Sequence, residues 1–369
     1  MGRHASPARE DRPCRPLDRR ALDRTLKPER TGWPPPHRLV PTASGEAALT
    51  TTANTFPTYE DVKAAKDRVH GVTRPVPVLE IDRDSFGTAR VFLALDFMQS
   101  SGSFKDRGAA NFIGAHLAAG SMPGAGVVIA SGGNAGLACA WAAQRHGIRA
   151  TVFLPTTAPA VKVAKLRTLG ADVRQVGAEY AEAAAAAAEF ASATGALASH
   201  AYDNPYIAAG AGTLLGEIHD QVPGLDTVVV AVGGGGLFAG TAMTAHALGV
   251  RVVAVEPANC RALNAAVEAG KVVDVPVDSV AADSLGARRA SETALHWAQR
   301  AQARSVLVTE DAIRAARQLL WDHRHLAVEH AAATALAALT SGAYKPEDGE
   351  RIAVVLCGAN TDPSDLVTT

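Results

Sequence analysis

Thr227-Val228-Val229-Val230-Ala231-Val232 runs directly into Gly233-Gly234-Gly235-Gly236-Leu237-Phe238-Ala239-Gly240. An apolar run of strand length that gives way to consecutive glycines and then to a helix is the repeating unit of a parallel α/β sheet. Without Cβ atoms the main chain can approach an anion closely, and a helix start adds partial positive charge. Gly233, Gly234, Gly235 and Gly236 therefore read as a phosphate cradle. The same residues satisfy a second pattern. Gly234-x-Gly236-x-x-Ala239 precedes a strand, Val252-Val253-Ala254-Val255, that ends at Glu256, about twenty residues on, as in dinucleotide-binding proteins. Both readings stay open on spacing alone.

Working outward, three more segments carry chemistry. Ser101-Gly102-Ser103-Phe104-Lys105-Asp106-Arg107-Gly108-Ala109 places one lysine at an expected helix start, with Ser103 as the expected N-cap. An amine on a flexible stem, once sheltered, forms an imine with an aldehyde, so Lys105 is the candidate cofactor anchor; a solvated lysine is the plain alternative. Ala130-Ser131-Gly132-Gly133-Asn134-Ala135-Gly136 lies between the apolar run Val127-Val128-Ile129 and the small-residue helix from Leu137 to Ala143. Such a turn aims free amide N–H groups at a carboxylate-sized anion, or it is an ordinary βα turn. Ile352-Ala353-Val354-Val355-Leu356-Cys357-Gly358-Ala359-Asn360 is a late strand ending in a thiol, where parallel sheets border ligand crevices; inert packing is the alternative for Cys357.

In this order the four segments resemble the fold-type II pyridoxal-phosphate enzymes, and within them the L-serine/L-threonine dehydratases (ammonia-lyases), from about Thr73 to Asn360. The resemblance implies an α/β fold like that of tryptophan synthase β, with two lobes of mainly parallel twisted sheet, and pyridoxal 5'-phosphate as cofactor. It makes Lys105 the Schiff-base lysine and catalytic base, Phe104 the aromatic behind the cofactor ring, and Asn134 the partner of the ring hydroxyl. Gly233 to Gly236 with Leu237 become the phosphate loop, and Cys357 stands beside the pyridine nitrogen. Ser131, Gly132 and Gly133 would bind the substrate carboxylate, and Ser284 in Ala282-Asp283-Ser284-Leu285 would face its β-position. The implied reaction removes water from a small-molecule amino-acid substrate, L-threonine or L-serine, giving a 2-oxo acid and ammonia, with the cofactor phosphate as proton donor to the hydroxyl.

Departures refine this expectation. The family's racemases and many of its dehydratases carry a second serine where Gly132 stands, so the turn lacks the hydroxyl that can return a proton from the opposite face and is more like the serine dehydratase branch, where small residues occupy the position. Glu256 matches a carboxylate that supports a cation in relatives, with Cys260 able to offer a main-chain oxygen, but Ala262 replaces a further ligand. A monovalent cation is the expectation if any metal binds, and a solvated strand end is the plain reading of Glu256. Glu329, in Ala327-Val328-Glu329-His330-Ala331, reads as a structural carboxylate. Alternatives are a dehydratase of a bulkier β-hydroxy amino acid such as phenylserine or hydroxyaspartate, an NAD-dependent dehydrogenase built on Gly234 to Glu256, and a catalytically silent binding protein.

Composition sets the frame. The 369 residues, 47% hydrophobic, suffice to bury two packed lobes, and a net charge of −1 gives no electrostatic case for nucleic acid or an anionic membrane. No apolar run is long enough to span a bilayer; Ala181 to Phe190 is interrupted by Glu182 and Glu189 and reads as a helix. Cys14, Cys139, Cys260 and Cys357 show neither metal spacing nor a paired framework, which fits a reducing cytoplasm. Met1 to Pro41 is rich in arginine and proline without periodicity, and residues 1–58 are expected to be a disordered extension lacking the apolar core of a secretory signal. The enzyme is then expected to divide into a large cofactor domain, 59–107 plus 200–369, and a small domain, 108–199. A homodimer is implied by the resemblance, as is the absence of isoleucine feedback through a domain after Asn360.

Overall fold

Apolar runs of strand length separated by alanine-rich helices build two mainly parallel sheets in the computed structural model, which describes residues 56–83 and 85–367. Along the chain, α1 (Tyr59–Val69), β1 (Val78–Glu80) and β2 (Arg90–Ala94) precede α2 (Lys105–Ala118). There follow β3 (Val127–Ala130), α3 (Asn134–Arg145), β4 (Ala150–Leu154), α4 (Ala160–Thr168), β5 (Asp172–Gln175), α5 (Tyr180–Thr194) and β6 (Leu197–Ala198). Next come α6 (Pro205–Gln221), β7 (Thr227–Ala231), α7 (Gly236–Leu248), β8 (Arg251–Pro257), α8 (Ala262–Ala269), α9 (Ala282–Leu285) and α10 (Glu292–Arg300). The chain ends through β9 (Arg304–Val308), α11 (Glu310–Arg324), α12 (His330–Thr340) and β10 (Arg351–Val355).

The larger sheet has the order β1-β2-β10-β7-β8-β9, parallel except for the antiparallel β1–β2 pair. The smaller, β5-β4-β3-β6, is parallel throughout and is drawn wholly from 127–198. Every residue of β4 and β7 is buried, the signature of strands covered on both faces by helices. The carboxyl ends of β3, β7 and β10 lead respectively into Ser131–Asn134, Gly233–Gly236 and Cys357, so the three motifs leave their sheets where parallel folds form ligand crevices.

Helix packing explains how these ends meet. A Cβ on Gly240 of α7 would overlap the carbonyl oxygen of Ala208 in α6, and one on Gly210 of α6 would lie 2.5 Å from the Arg107 carbonyl oxygen of α2. These bare contacts let α6 draw α2 and α7 together. Arg107, fully buried, fixes the arrangement through ion pairs of 2.9 Å to Asp96 and 2.6 Å to Glu217. Paired on both sides, a buried guanidinium specifies geometry; left with one partner, it would carry an uncompensated charge.

Two expectations are corrected. The proposed disordered stretch was drawn to residue 58, yet Phe56 stacks on His296 at 4.4 Å, the Pro57 carbonyl accepts a 3.0 Å bond from Trp297 Nε1 and Thr58 caps α1; residues 1–55 lie outside the described residues. Ser103 does not cap α2. Its backbone is held in a bridge to Gly358, Phe104 N donates to Cys357 O at 2.9 Å, and the helix starts one residue later than a Ser103 cap requires. No helix among the described residues is long and apolar enough to cross a membrane.

Candidate active site

The geometry starts at Lys105, the first residue of α2. Its Nζ donates to the Ala201 carbonyl at 2.7 Å and lies 4.8 Å from the centre of the Phe104 ring. Burial pulls its pKa down to about 8, against weaker opposing pulls from Cys357 and then Glu329. A primary amine poised there is half neutral under mild conditions, as a nucleophile or base must be.

The segment that accepts from Lys105 also touches the glycine loop: Cβ atoms on Gly234 and Gly236 would run into Tyr202, next to Ala201. Gly235, with φ +95°, turns the chain into α7, and a Cβ there would collide with Ala294. Among the described residues no acceptor takes the amide hydrogens of Gly233 to Leu237, although Gly234 to Leu237 are buried. Buried amides are almost always paired. A row of them at a helix N-terminus, beside a sheltered amine, fits a phosphorylated aldehyde.

On the other side of Lys105, Cys357 is buried and its thiol is pushed far up by burial, so it stays protonated. Asn360, three residues on, ties the site together. Its Nδ2 donates to Ser101 O and Asn134 Oδ1, both at 2.8 Å, its backbone N–H donates to Glu329 at 2.8 Å, and its Oδ1 accepts from Lys165 Nζ at 2.5 Å. Asn134, at the start of α3, donates Nδ2 to the two oxygens of Glu329 at 2.9 and 3.0 Å, and Ser284 Oγ donates to Glu329 at 2.5 Å.

A cavity of about 560 Å³ opens between the sheets, with Gly132, Gly133, Asn134, Ser284, Glu329 and Asn360 in its walls. Lys105 and the glycine loop do not line it; Lys105 is linked to it through the charge of Glu329, which it feels, and through the 2.9 Å bond from Phe104 N–H to Cys357 O. Thus Lys105, Phe104, the glycine loop, Cys357, Asn134, the Ser131–Gly133 turn and Ser284 form one continuous neighbourhood.

Glu256 is not part of it. Both its oxygens accept 2.7 Å bonds, from the amides of Leu263 and Asn264, and so cap α8. Fully buried, with its pKa raised to about 7 by burial, it is not the solvated strand end that sequence suggested. Nor can a carboxylate so enclosed reach a ribose hydroxyl, which removes the structural basis of the dehydrogenase reading. Among the described residues no group of three or more His, Cys, Asp or Glu side chains is arranged to hold a metal ion.

Sequence reading missed two members. Glu329 looked structural because it sits between Val328 and an apolar helix, and Asn360 closed a motif without attracting attention. Its signal in the sequence was its place two residues after Gly358; a Cβ on that glycine would press to 2.7 Å of Glu329.

A sheltered lysine, a run of buried amides without acceptors and a glycine turn after a parallel strand are what an aldehyde cofactor with a phosphate and an amino acid would require. The match to a family model described as "Pyridoxal-phosphate dependent enzyme" covers residues 69–358, and the chain belongs to that family, with the fold-type II architecture. It is 36% identical over 314 residues to the phenylserine dehydratase of Ralstonia pickettii, covering 84% of this chain and 94% of that protein. To the L-threonine ammonia-lyase of Thermotoga maritima it is 32% identical over 308 residues, 83% of this chain and 76% of that one. Maize serine racemase superposes with a TM-score of 0.79 at 28% identity, over 84% of this chain and 95% of that structure. The protein is therefore a pyridoxal-phosphate enzyme of the dehydratase and racemase group.

Proposed function

We propose that this enzyme is a dehydratase that removes water from a β-hydroxy amino acid, L-threonine or L-serine, giving a 2-oxo acid and ammonia. Held on Lys105, pyridoxal phosphate supplies the electron sink for a carbanion at Cα. The protein's own residues do the rest. The amides of Gly233 to Leu237 bind the phosphate, Phe104 backs the ring, and Asn134 meets the ring hydroxyl. Cys357, a neutral thiol, leaves the ring nitrogen without a carboxylate partner. The amides of the Ser131–Asn134 turn take the substrate carboxylate, which aims Cα at Lys105 Nζ. With its pKa near 8, that amine accepts the Cα proton without a strong base.

The observation that carries dehydration over racemisation is Gly132. It offers no hydroxyl to return a proton on the opposite face, and a Cβ there would lie 2.9 Å from Leu154 Cδ2, so the neighbouring space is already filled. A second reading, a bulkier substrate such as phenylserine or hydroxyaspartate, is supported by the 36% identity to the phenylserine dehydratase of Ralstonia pickettii.

Formation of 2-oxo acid from serine, threonine, phenylserine and hydroxyaspartate, with chiral analysis of the remaining amino acid, tests both. The reading expects oxo acid without the opposite enantiomer. Negligible oxo acid from all four, or enantiomer in excess of oxo acid, would overturn it.

A further inference from the structure

Glu329 is surrounded by donors on every side that the described residues supply. Asn134 Nδ2 reaches both carboxylate oxygens at 2.9 and 3.0 Å, Asn360 N–H reaches one at 2.8 Å, and Ser284 Oγ the other at 2.5 Å. These donors come from both sheet systems: Asn134 opens α3 beside the small sheet, whereas Ser284 and Asn360 follow segments of the large one. The two oxygens of Glu329 thus serve as acceptors for three different residues at once.

The consequence falls on Asn134. An amide side chain can present either its oxygen or its nitrogen in a given direction, and hydrogen bonds choose. Here Nδ2 donates to Glu329 and Oδ1 accepts from Asn360 Nδ2 at 2.8 Å, so the choice between the two amide orientations is made while the oxygen keeps a second lone pair free for a further partner. We infer that Glu329 is a positioning residue: its carboxylate sets the orientation of the Asn134 amide toward the cofactor ring and couples it to Ser284 across the cleft. The inference rests on the proposed contact between Asn134 and the ring hydroxyl. Glutamine at 329 keeps the volume but turns one of the two acceptor oxygens into a donor; the Ser284 hydroxyl can turn to accept from it, whereas Asn134 Nδ2, which reaches both oxygens, then faces an N–H group, so the substitution works against the observed amide orientation.

The test compares Glu329→Gln, Asn134→Ala and the double variant with wild type. Cofactor-free proteins are titrated with pyridoxal phosphate, the visible absorption maximum of each loaded protein is recorded, and thermal unfolding of each cofactor-free protein is followed. Glu329→Gln is expected to weaken pyridoxal phosphate binding on the order of tenfold and to move the absorption maximum in the same direction as Asn134→Ala. The double variant should bind little worse than either single one, because the two residues act through one contact. Should Glu329→Gln not accumulate as folded protein, Glu329→Asp, which keeps the charge and withdraws it by one methylene, is expected to shift the same two readouts in the same direction. Unchanged affinity and spectrum with only a lower unfolding temperature, or effects of the two substitutions that simply add, would overturn the inference. A wild-type chain that binds no pyridoxal phosphate at Lys105 would instead overturn the functional reading on which it stands.

Discussion

Lys105 concentrates the chemistry of this chain in one nitrogen. Burial lowers its pKa to about 8 from an ordinary 10.5, so its neutral fraction grows as pH climbs through 8. In the cofactor-free protein, acylation of Lys105 followed by mass spectrometry should therefore show a midpoint near pH 8, with exposed lysines reacting only at higher pH. The sign for stability follows from proton counting. Between about 8 and 10.5 the unfolded chain binds more protons at this site than the folded one, so stability rises with pH across that interval. Lys105→Met should remove that rise in denaturant titrations of the cofactor-free protein; an unchanged pH slope would contradict the assigned burial.

The turns at the ends of β3, β7 and β10 were legible because glycine runs after apolar strands leave few other conformations. Gly235→Ala puts a methyl group into Ala294 at φ +95° and should weaken pyridoxal phosphate binding by about tenfold or more, read by titration. Helix starts and buried carboxylates were less legible. Ser103 satisfied the local rule for an N-cap, but a bridge to Gly358, distant in sequence, took its backbone first. Glu329 finds its partners 195, 45 and 31 residues away, and no local pattern encodes such contacts. Glu256 shows the same gap between pattern and environment. Its folded pKa, raised to about 7 from 4.5, means that the folded state binds the extra proton between those values. Stability should fall as pH rises from 4.5 to 7, and Glu256→Gln should abolish that part of the slope, on the order of a few kcal/mol in denaturant titrations. A wild type and variant with parallel pH profiles would contradict it.

Across the molecule, polar links join the small-sheet layer to the large one at its exposed rim as well as at Asn134. Lys162 pairs with Asp283 at 3.0 Å and Lys165 bonds Asn360 at 2.5 Å, both joining α4 of the small-sheet layer to segments of the large one. Exposed, the Lys162–Asp283 pair should contribute less than about 1 kcal/mol to stability. Lys162→Ala is therefore expected to leave the unfolding transition nearly unmoved. Arg107→Leu is the contrast: it strands Asp96 and loosens α2 from α6, and should cost about 3–5 kcal/mol in chemical denaturation. The α/β class and the cofactor were readable because four motifs keep their order along the chain. The identity of the substrate was not, since cavity shape is set jointly by α3, α4, α9 and the strand ends, each contributing a few residues from far apart in sequence. All of these features converge on one covalent link. Borohydride reduction of the protein loaded with pyridoxal phosphate, followed by peptide mass spectrometry, should place the phosphopyridoxyl group on Lys105 alone; a label on any other lysine, or none at all, would contradict the site described.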